Sequence, residues 1–464
     1  MMVENKSTIF GIIALIIGAT GLGLGAFSVI SLQTVDGEQG LPGEDGIDGI
    51  DGIDGIDGID APGYFCKSAV EVQQALDSIG SGSGKIIITE SITLTSKISI
   101  NGGGSYVIQG QGAGTIIRSS VSYWNAFDIT NATSVIIKDL KIDSSNFSLT
   151  TEIIKINETN DNPVYIENIQ IIGDSDLDGY GIYIDSGNVW VSDCYISEVY
   201  IGIYQTSNIG IAHIYDNIIL DCENSGMDIY GDYNYISGNS LDTGHWYGIR
   251  IFGSFNVITD NSIRNSQYGI IISADNNTIK DNNMNSIQGS GIILYDCDYN
   301  VVSGNSILQN GSTGIYLDNC DYNVISGNSI SDFRNRGIVL DNCTSNVISG
   351  NSISYGGDNG IHLYYNSDYN VISGNSIINL SRTDYTLAGI QLSIDADFNT
   401  ICSNGIFNCA SYGGGTGYGI RIWEYLGFLC NDNTVLGNTA LNNEINWDDG
   451  GTDTFGDSTN NNFG

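Results

Sequence analysis

The sequence predicts an all-β fold: a right-handed single-stranded parallel β-helix of about 23 residues per coil, closed at its amino end by a short capping helix. Three observations carry this. The phrase Asn-Val-Ile-Ser-Gly-Asn-Ser-Ile recurs almost verbatim from Asn300, Asn323, Asn346 and Asn370. Degenerate copies start at Asn234, Asn256, Asn277, Asn399 and Asn433, so successive spacings are 22, 21, 23, 23, 23, 24, 29 and 34 residues. A second phrase, Gly-Ile-x-(Ile/Leu), falls between the copies, as at Gly181, Gly248, Gly291, Gly314, Gly337, Gly360 and Gly419. Finally, Gly is abundant (61) and Pro nearly absent (3), which suits short strands broken by tight turns. Two short strands per repeat, without the 3.6-residue apolar period of helical repeats, make one coil of a solenoid.

The chain is read as four regions. Residues 1–8 form a short tail on the cytoplasmic side. Residues 9–32 contain no charged side chain and are long enough to cross the hydrocarbon core as a helix. This segment is expected to be a transmembrane anchor or an uncleaved signal anchor. From Gly37 to Gly58 glycine occupies every third position, the period imposed by the crowded axis of a collagen triple helix. Residues 33–63 are therefore either a collagen-like stalk, implying a homotrimer, or a flexible acidic linker. Pro42 is the lone proline of the triplets, and five Gly-Ile-Asp triplets would place like charges side by side. Residues 64–464 form the β-helix. A cap at 66–80 puts Val72, Ala75, Leu76 and Ile79 on one helical face; the most regular repeats span 226–380, and looser coils and a tail occupy 381–464.

Charge excludes one class of partner. With 53 acidic and 15 basic residues the net charge is −38, so a nucleic acid would be repelled over most of the surface. The nine cysteines are dispersed and form no Cys-x-x-Cys pair. Cys297, Cys320, Cys343 and Cys430 fall instead in a column of small residues three positions before the Asn phrase, where burial at a tight corner explains them. Pairing of Cys297 with Cys320, or of Cys320 with Cys343, is the alternative in an oxidising compartment.

Stacked coils turn equivalent positions into ladders about 4.8 Å apart. The second Asn of each phrase (Asn217, Asn239, Asn261, Asn282, Asn305, Asn328 and onward) is expected to bond along the stack. One position before the phrase runs an aromatic column, Tyr233, Phe255, Tyr299, Tyr322, Tyr369 and Phe398, interrupted by Asn276 and Ser345. Ring stacking accounts for it, and an exposed row of rings is also a sugar platform. Two positions before the phrase lies an Asp column, Asp232, Asp275, Asp298, Asp321, Asp368 and Asp397, whose repulsion calls for screening or a bridging cation.

These columns resemble the right-handed β-helix repeats of the NosD-like group in the pectin-lyase-like superfamily, over roughly residues 66–445. The run from Lys85 through Arg118 is similar to the first coils of pectate-lyase-type proteins. The resemblance implies a fold more than an activity, since such proteins include lyases, hydrolases, epimerases, tailspikes and adhesins. It also implies that a substrate would lie along the outer face of one stacked strand, here the x position of Gly-Ile-x. That column reads Tyr183, Tyr204, Asp228, Arg250, Ile271, Ile293, Tyr316, Val339, His362, Gln391 and Arg421.

Asp228, Arg250 and His245 are the catalytic candidates, a carboxylate, a guanidinium and an imidazole within reach of one groove; a surface salt bridge explains the first two equally simply. Tyr183, Tyr204, Trp246, Tyr316 and His362 are candidates for holding a sugar. The Asn-Thr-Asp, paired-Asp and Gly-His-Gly motifs of polygalacturonase-type enzymes are absent in register, and Asp448-Asp449 stands far from a matching histidine. Calcium is the one cofactor expected: Asp174, Asp176 and Asp178 begin a D-x-D-x-D-G loop with Asp185 at its twelfth position, an acidic turn being the competing reading. The expected function is that of a non-catalytic, membrane-anchored extracellular protein that binds a polysaccharide or cell-surface glycan, or forms part of a surface coat or projection. The competing expectation is a surface polysaccharide-processing enzyme, a lyase, hydrolase or epimerase.

Overall fold

The computed structural model describes residues 63–119, 125–144, 152–158, 162–173, 179–206, 210–383, 386–412, 415–423 and 430–450. The expected membrane segment and the Gly-x-y segment lie outside these residues, as do Asp174, Asp176 and Asp178. Among the described residues no helix is long and apolar enough to cross a membrane.

The chain enters through the strand Gly63–Cys66 and the helix Ala69–Ile79. Ser68 caps the helix by accepting from the backbone of Glu71, while the Glu71 carboxylate accepts the backbone N–H of Lys67 at 2.7 Å. Val72, Ala75 and Leu76 are buried in the core and Ile79 packs against it, so the cap covers the first coil with the face the sequence predicts. The helix stops at Gly80, whose φ of 55° a side chain would strain.

Among the described residues after the cap the strands pair in parallel, and each coil pairs with the next in sequence. Among the described residues fifteen strands, from Ile98–Ile100 to Ile445–Asp449, form one continuous sheet, a second sheet of 29 strands carries most of the rest, and Ser381–Thr383 pairs with Ala410–Tyr412 as a third. The regular coils thus have three strands, not the expected two. The coil beginning at Ile315–Asp318 continues through Val324–Ser326 and Ser329–Phe333. The Asn phrase is two strands, because Gly327 (φ 64°) and the buried Asn328 turn a corner in its middle.

Inside the coil, isoleucines stack upon isoleucines: Ile292, Ile315, Ile338, Ile361, Ile390 and Ile420 succeed one another in register and are fully buried. β-Branched side chains suit this surface because their one stiff torsion matches the pleat. The Gly of Gly-Ile-x is needed for close approach. At Gly314 a Cβ would sit 2.5 Å from Ile330 Cγ2 and 2.6 Å from the Gly337 carbonyl.

Two Asn ladders run through the interior, where the sequence reading anticipated one. In the first, Asn305 donates both its backbone N–H and its side-chain amide to Asn328 Oδ1 at 3.0 Å, and Asn328 does the same to Asn351 at 2.9 Å. In the second, the Asn that opens each phrase receives the backbone N–H of its predecessor, from Asn234–Asn256 to Asn399–Asn433. The Asp column bonds along the stack in the opposite direction, with Asp275, Asp298 and Asp321 accepting the N–H of Asp298, Asp321 and Thr344 at 2.6–2.8 Å. These carboxylates replace water at backbone donors of the following coil. All nine cysteines are free thiols, and only Cys402 is not buried. Cys297 and Cys320 touch, Sγ to Sγ at 3.8 Å, as packed neighbours.

Candidate functional site

The x column forms the outer face of the 15-stranded sheet, in unbroken register from Tyr183 to Arg421. It extends upward through Lys155 and Asp128, and downward to Asp448, which pairs with Arg421. The candidate residues on it fall into two groups, separated by Ile271 and Ile293 and therefore by about 14 Å between Arg250 and Tyr316.

The upper group is a closed cluster. Tyr183 and Tyr204 stack with centroids 5.3 Å apart, and Tyr180 and Tyr230 lean against Tyr204. Burial, then the neighbouring tyrosines, pushes the Tyr204 hydroxyl up to about 12. Asp228 is 1% exposed and is gripped by Arg250 through both carboxylate oxygens, with Nε–Oδ1 at 2.7 Å and Nη2 on Oδ2. Arg250 in turn lies over the rings of Tyr247 and Phe252, 4.4 and 5.7 Å from their centroids. A carboxylate that is buried and clamped at both oxygens by a guanidinium is shielded from a substrate proton, so this geometry favours the ion-pair reading of Asp228 and Arg250. His245 and Trp246 are exposed on the preceding loop and line a separate shallow depression with Tyr200, Glu223 and Asn224.

The lower group surrounds an open groove of about 1000 Å³. Tyr316 and His362, both sequence candidates, line it together with Arg336, Gln391, Arg421 and Trp423. Its wall includes Thr386, from the 29-residue coil, so the lengthening of the spacing beyond Asn370 has a structural use. His362 is 2% exposed; its Nε2 meets Ser393 Oγ at 2.7 Å and its Nδ1 has no hydrogen-bond partner. Burial, reinforced by the Arg336 charge, holds the imidazole well below its usual range and therefore neutral.

Tyr316 donates its hydroxyl to Asp341 Oδ2 at 3.0 Å, and burial raises both groups above their ordinary values. Asp318, next to Asp341 in register, is raised by burial and then by that like charge. Arg336 approaches Asp358 at 3.9 Å, while Arg421 bonds Asp448 at 3.3 Å beneath the rings of Tyr418 and Trp423. The groove thus offers two guanidinium groups, each beside a carboxylate, together with a neutral imidazole, an amide, aromatic faces and the carboxylates of Asp341 and Asp358. Cations, planar donors and rings are what hold a sugar with hydroxyl or carboxylate substituents.

Asp341, Tyr364 and Trp423 escaped the sequence reading, although a signal existed. They stand two residues beyond the x position on the same face, in a second outward column, Tyr295, Asp318, Asp341, Tyr364, Ser393 and Trp423. Of the proposed calcium loop only Asp185 is described; it sits in the strand Tyr180–Ser186 and accepts the Thr206 hydroxyl at 3.1 Å. Among the described residues no group of three or more His, Cys, Asp or Glu side chains converges as a metal cluster.

Comparison with known proteins follows the same lines. Residues 223–356, 256–386 and 332–463 each match the family described as "Periplasmic copper-binding protein (NosD)", and residues 125–282 match "Right handed beta helix region". No curated protein matches the chain. Among solved structures, it is similar to the catalytic unit of a GH87 α-1,3-glucanase from Streptomyces thermodiastaticus, at 14% identity over 84% of this chain and 67% of that one, with a TM-score of 0.42. Tailspike protein 3 of bacteriophage CBA120 is also 14% identical, over 81% and 59%, with a TM-score of 0.42. The A-module of the Azotobacter vinelandii mannuronan C-5 epimerase AlgE6 is 13% identical over 82% and 98%, with a TM-score of 0.34.

Proposed function

The chain belongs to the NosD family of β-helix repeat proteins, whose profile covers residues 223–463, and from that premise we propose that it is a glycan-binding protein that holds a polysaccharide along the outer face of the 15-stranded sheet. The observation that carries the proposal is the lower groove. Arg336 and Arg421 line it with the neutral His362, Gln391, the Trp423 ring and the carboxylates of Asp341 and Asp358. A pyranose bearing hydroxyl or carboxylate groups meets both a stacking face and donors in that groove.

Display at a cell surface is part of the same proposal. The apolar run 9–32 supports membrane attachment with the solenoid outside, and the Gly-x-y run supports a stalk that makes homotrimers. Calcium binding by the loop from Asp174 to Asp185 belongs with it.

The second reading, a polysaccharide-processing enzyme, is favoured by one observation, the unpartnered Nδ1 of the neutral His362 beside Tyr316 and Asp341. It would place chemistry in the lower groove and not at Asp228. The test is incubation of the full chain with a panel of neutral and uronate-containing polysaccharides, following both retention and the appearance of reducing ends or unsaturated uronates. Retention without release supports binding; release abolished by His362→Gln would replace it with the enzyme.

A further inference from the structure

The aromatic column at the corner after the 15-stranded sheet is neither a continuous stack nor part of the core. Its eight positions, Tyr233, Phe255, Asn276, Tyr299, Tyr322, Ser345, Tyr369 and Phe398, all have φ between 55° and 61°. That conformation is easy for Gly, Asn or Asp and unfavourable for a bulky side chain, yet six of the eight are Tyr or Phe. Turn geometry therefore does not explain the rings. Burial does not either, since they are 44–60% exposed.

The rings form three face-to-face pairs: Tyr233–Phe255 at 5.0 Å and 6°, Tyr299–Tyr322 at 5.2 Å and 4°, and Tyr369–Phe398 at 4.9 Å and 4°. Between the pairs a ring is missing, at Asn276 and at Ser345. Phe255 and Tyr299 are thus two coil rises apart, about 9.6 Å, as are Tyr322 and Tyr369. One flat ring inserted midway would lie about 4.8 Å from each wall, the separation the pairs already adopt. Each slot has two aromatic walls and a polar side chain, an amide or a hydroxyl, at the vacant rung.

We propose that the Asn276 and Ser345 positions are two sugar-binding slots, each taking one pyranose ring, presented as a chain end or side branch, between facing aromatic rings. An inserted ring lies across the solenoid axis, so the rest of the glycan leaves sideways. The flanking column of Asp275, Asp298, Asp321 and Asp368 selects a neutral or amino sugar and rejects a uronate or a nucleotide base on a phosphate backbone. These slots stand on a different edge of the coil from the groove and do not depend on it.

The repeat itself supplies the test. Tyr already occupies the same backbone conformation one coil away on either side of Ser345 or next to Asn276, so Asn276→Tyr and Ser345→Tyr fill the slots without a new demand on the fold. Calorimetric titration of the full chain would use trisaccharides ending in glucose, galactose, N-acetylglucosamine or glucosamine. With the groove removed by Arg336→Ala and Arg421→Ala, at least one should bind at two sites per chain when Asn276 and Ser345 are intact, at one in either single Tyr variant, and at least tenfold more weakly in the double Tyr variant. Phe255→Ala with Tyr369→Ala should give the same loss by removing one wall of each slot, whereas Arg336→Ala with Arg421→Ala should leave slot binding unchanged. Binding that survives the double Tyr variant in a chain that also carries Arg336→Ala and Arg421→Ala, or no binding of any probe at millimolar concentration, overturns the proposal. So does self-association of the wild type that the double variant abolishes, because rings of a second copy would then be the occupants.

Discussion

Asn328 Oδ1 accepts two hydrogen bonds from Asn305, one from its backbone N–H and one from its side-chain amide, both at 3.0 Å in the buried interior. The Asn328 amide then bonds the Val302 carbonyl and Asn351 Oδ1 at 3.0 and 2.9 Å. A single side chain thereby holds three coils. Asn328→Ala removes the acceptor of the Asn305 backbone N–H and the amide donor to the Val302 carbonyl, while the Asn305 amide keeps Ile279 and Ser303 as acceptors, at a cost of about 2–3 kcal/mol. Because each coil contacts only its neighbours, the loss should be local. Hydrogen exchange should accelerate in the coils around Val302, Asn328 and Asn351 and stay unchanged in the cap; acceleration throughout would show that the coils unfold as one.

Asp228 and Arg250 are predicted to be structural. Arg250→Ala strands a buried carboxylate and should destabilise by about 3–5 kcal/mol, while Asp228→Leu with Arg250→Leu should recover most of that loss. Denaturant melts of the three proteins measure this. Retention of polysaccharide by the double variant should match the wild type.

The thiols report on packing. Burial pushes Cys194, Cys222, Cys409 and Cys430 up to about 12, so they are neither accessible nor ionised near neutral pH. Titration with a thiol reagent should count one equivalent in the native chain, from Cys402, and nine after denaturation. Seven after denaturation would reveal a disulfide, with Cys297 and Cys320 the pair in contact.

Acidic stability follows from the groove. Burial holds Asp341 above the ordinary carboxylate range, so the native state binds more protons than the unfolded chain between the two values. Stability contributed by this group is present at low pH and is lost as pH rises from about 4 through the folded value. Asp341→Asn should flatten that part of the profile of urea midpoint against pH while preserving an acceptor for Tyr316. Asp368 and Asp397, also raised by burial, contribute with the same sign and will remain.

The coil, its length and the outward column were legible because the Gly-Ile-x phrase marks the one place where backbones approach too closely for a side chain, and that mark sets the register of everything after it. The third strand was not, because Ser-Gly-Asn-Ser reads as one phrase although Gly327 and Asn328 turn the chain within it. The groove was half legible. Tyr316 and His362 stood in the x column, but Asp341, Tyr364 and Trp423 belong to the column two residues on, and Arg336 stands immediately before Gly337, at the start of its coil's phrase. The partnership of Asp228 with Arg250 was read from spacing alone; its closed, forked geometry required side-chain positions.

The measurement that tests the central claim most directly is equilibrium binding of polysaccharide, by titration calorimetry, to the full chain and to Arg336→Ala with Arg421→Ala. The groove account predicts that the polysaccharide retained by the wild type binds the double variant at least tenfold more weakly, with an unchanged denaturant midpoint. Equal affinity in the two proteins, or release of sugar products during the titration, would contradict it.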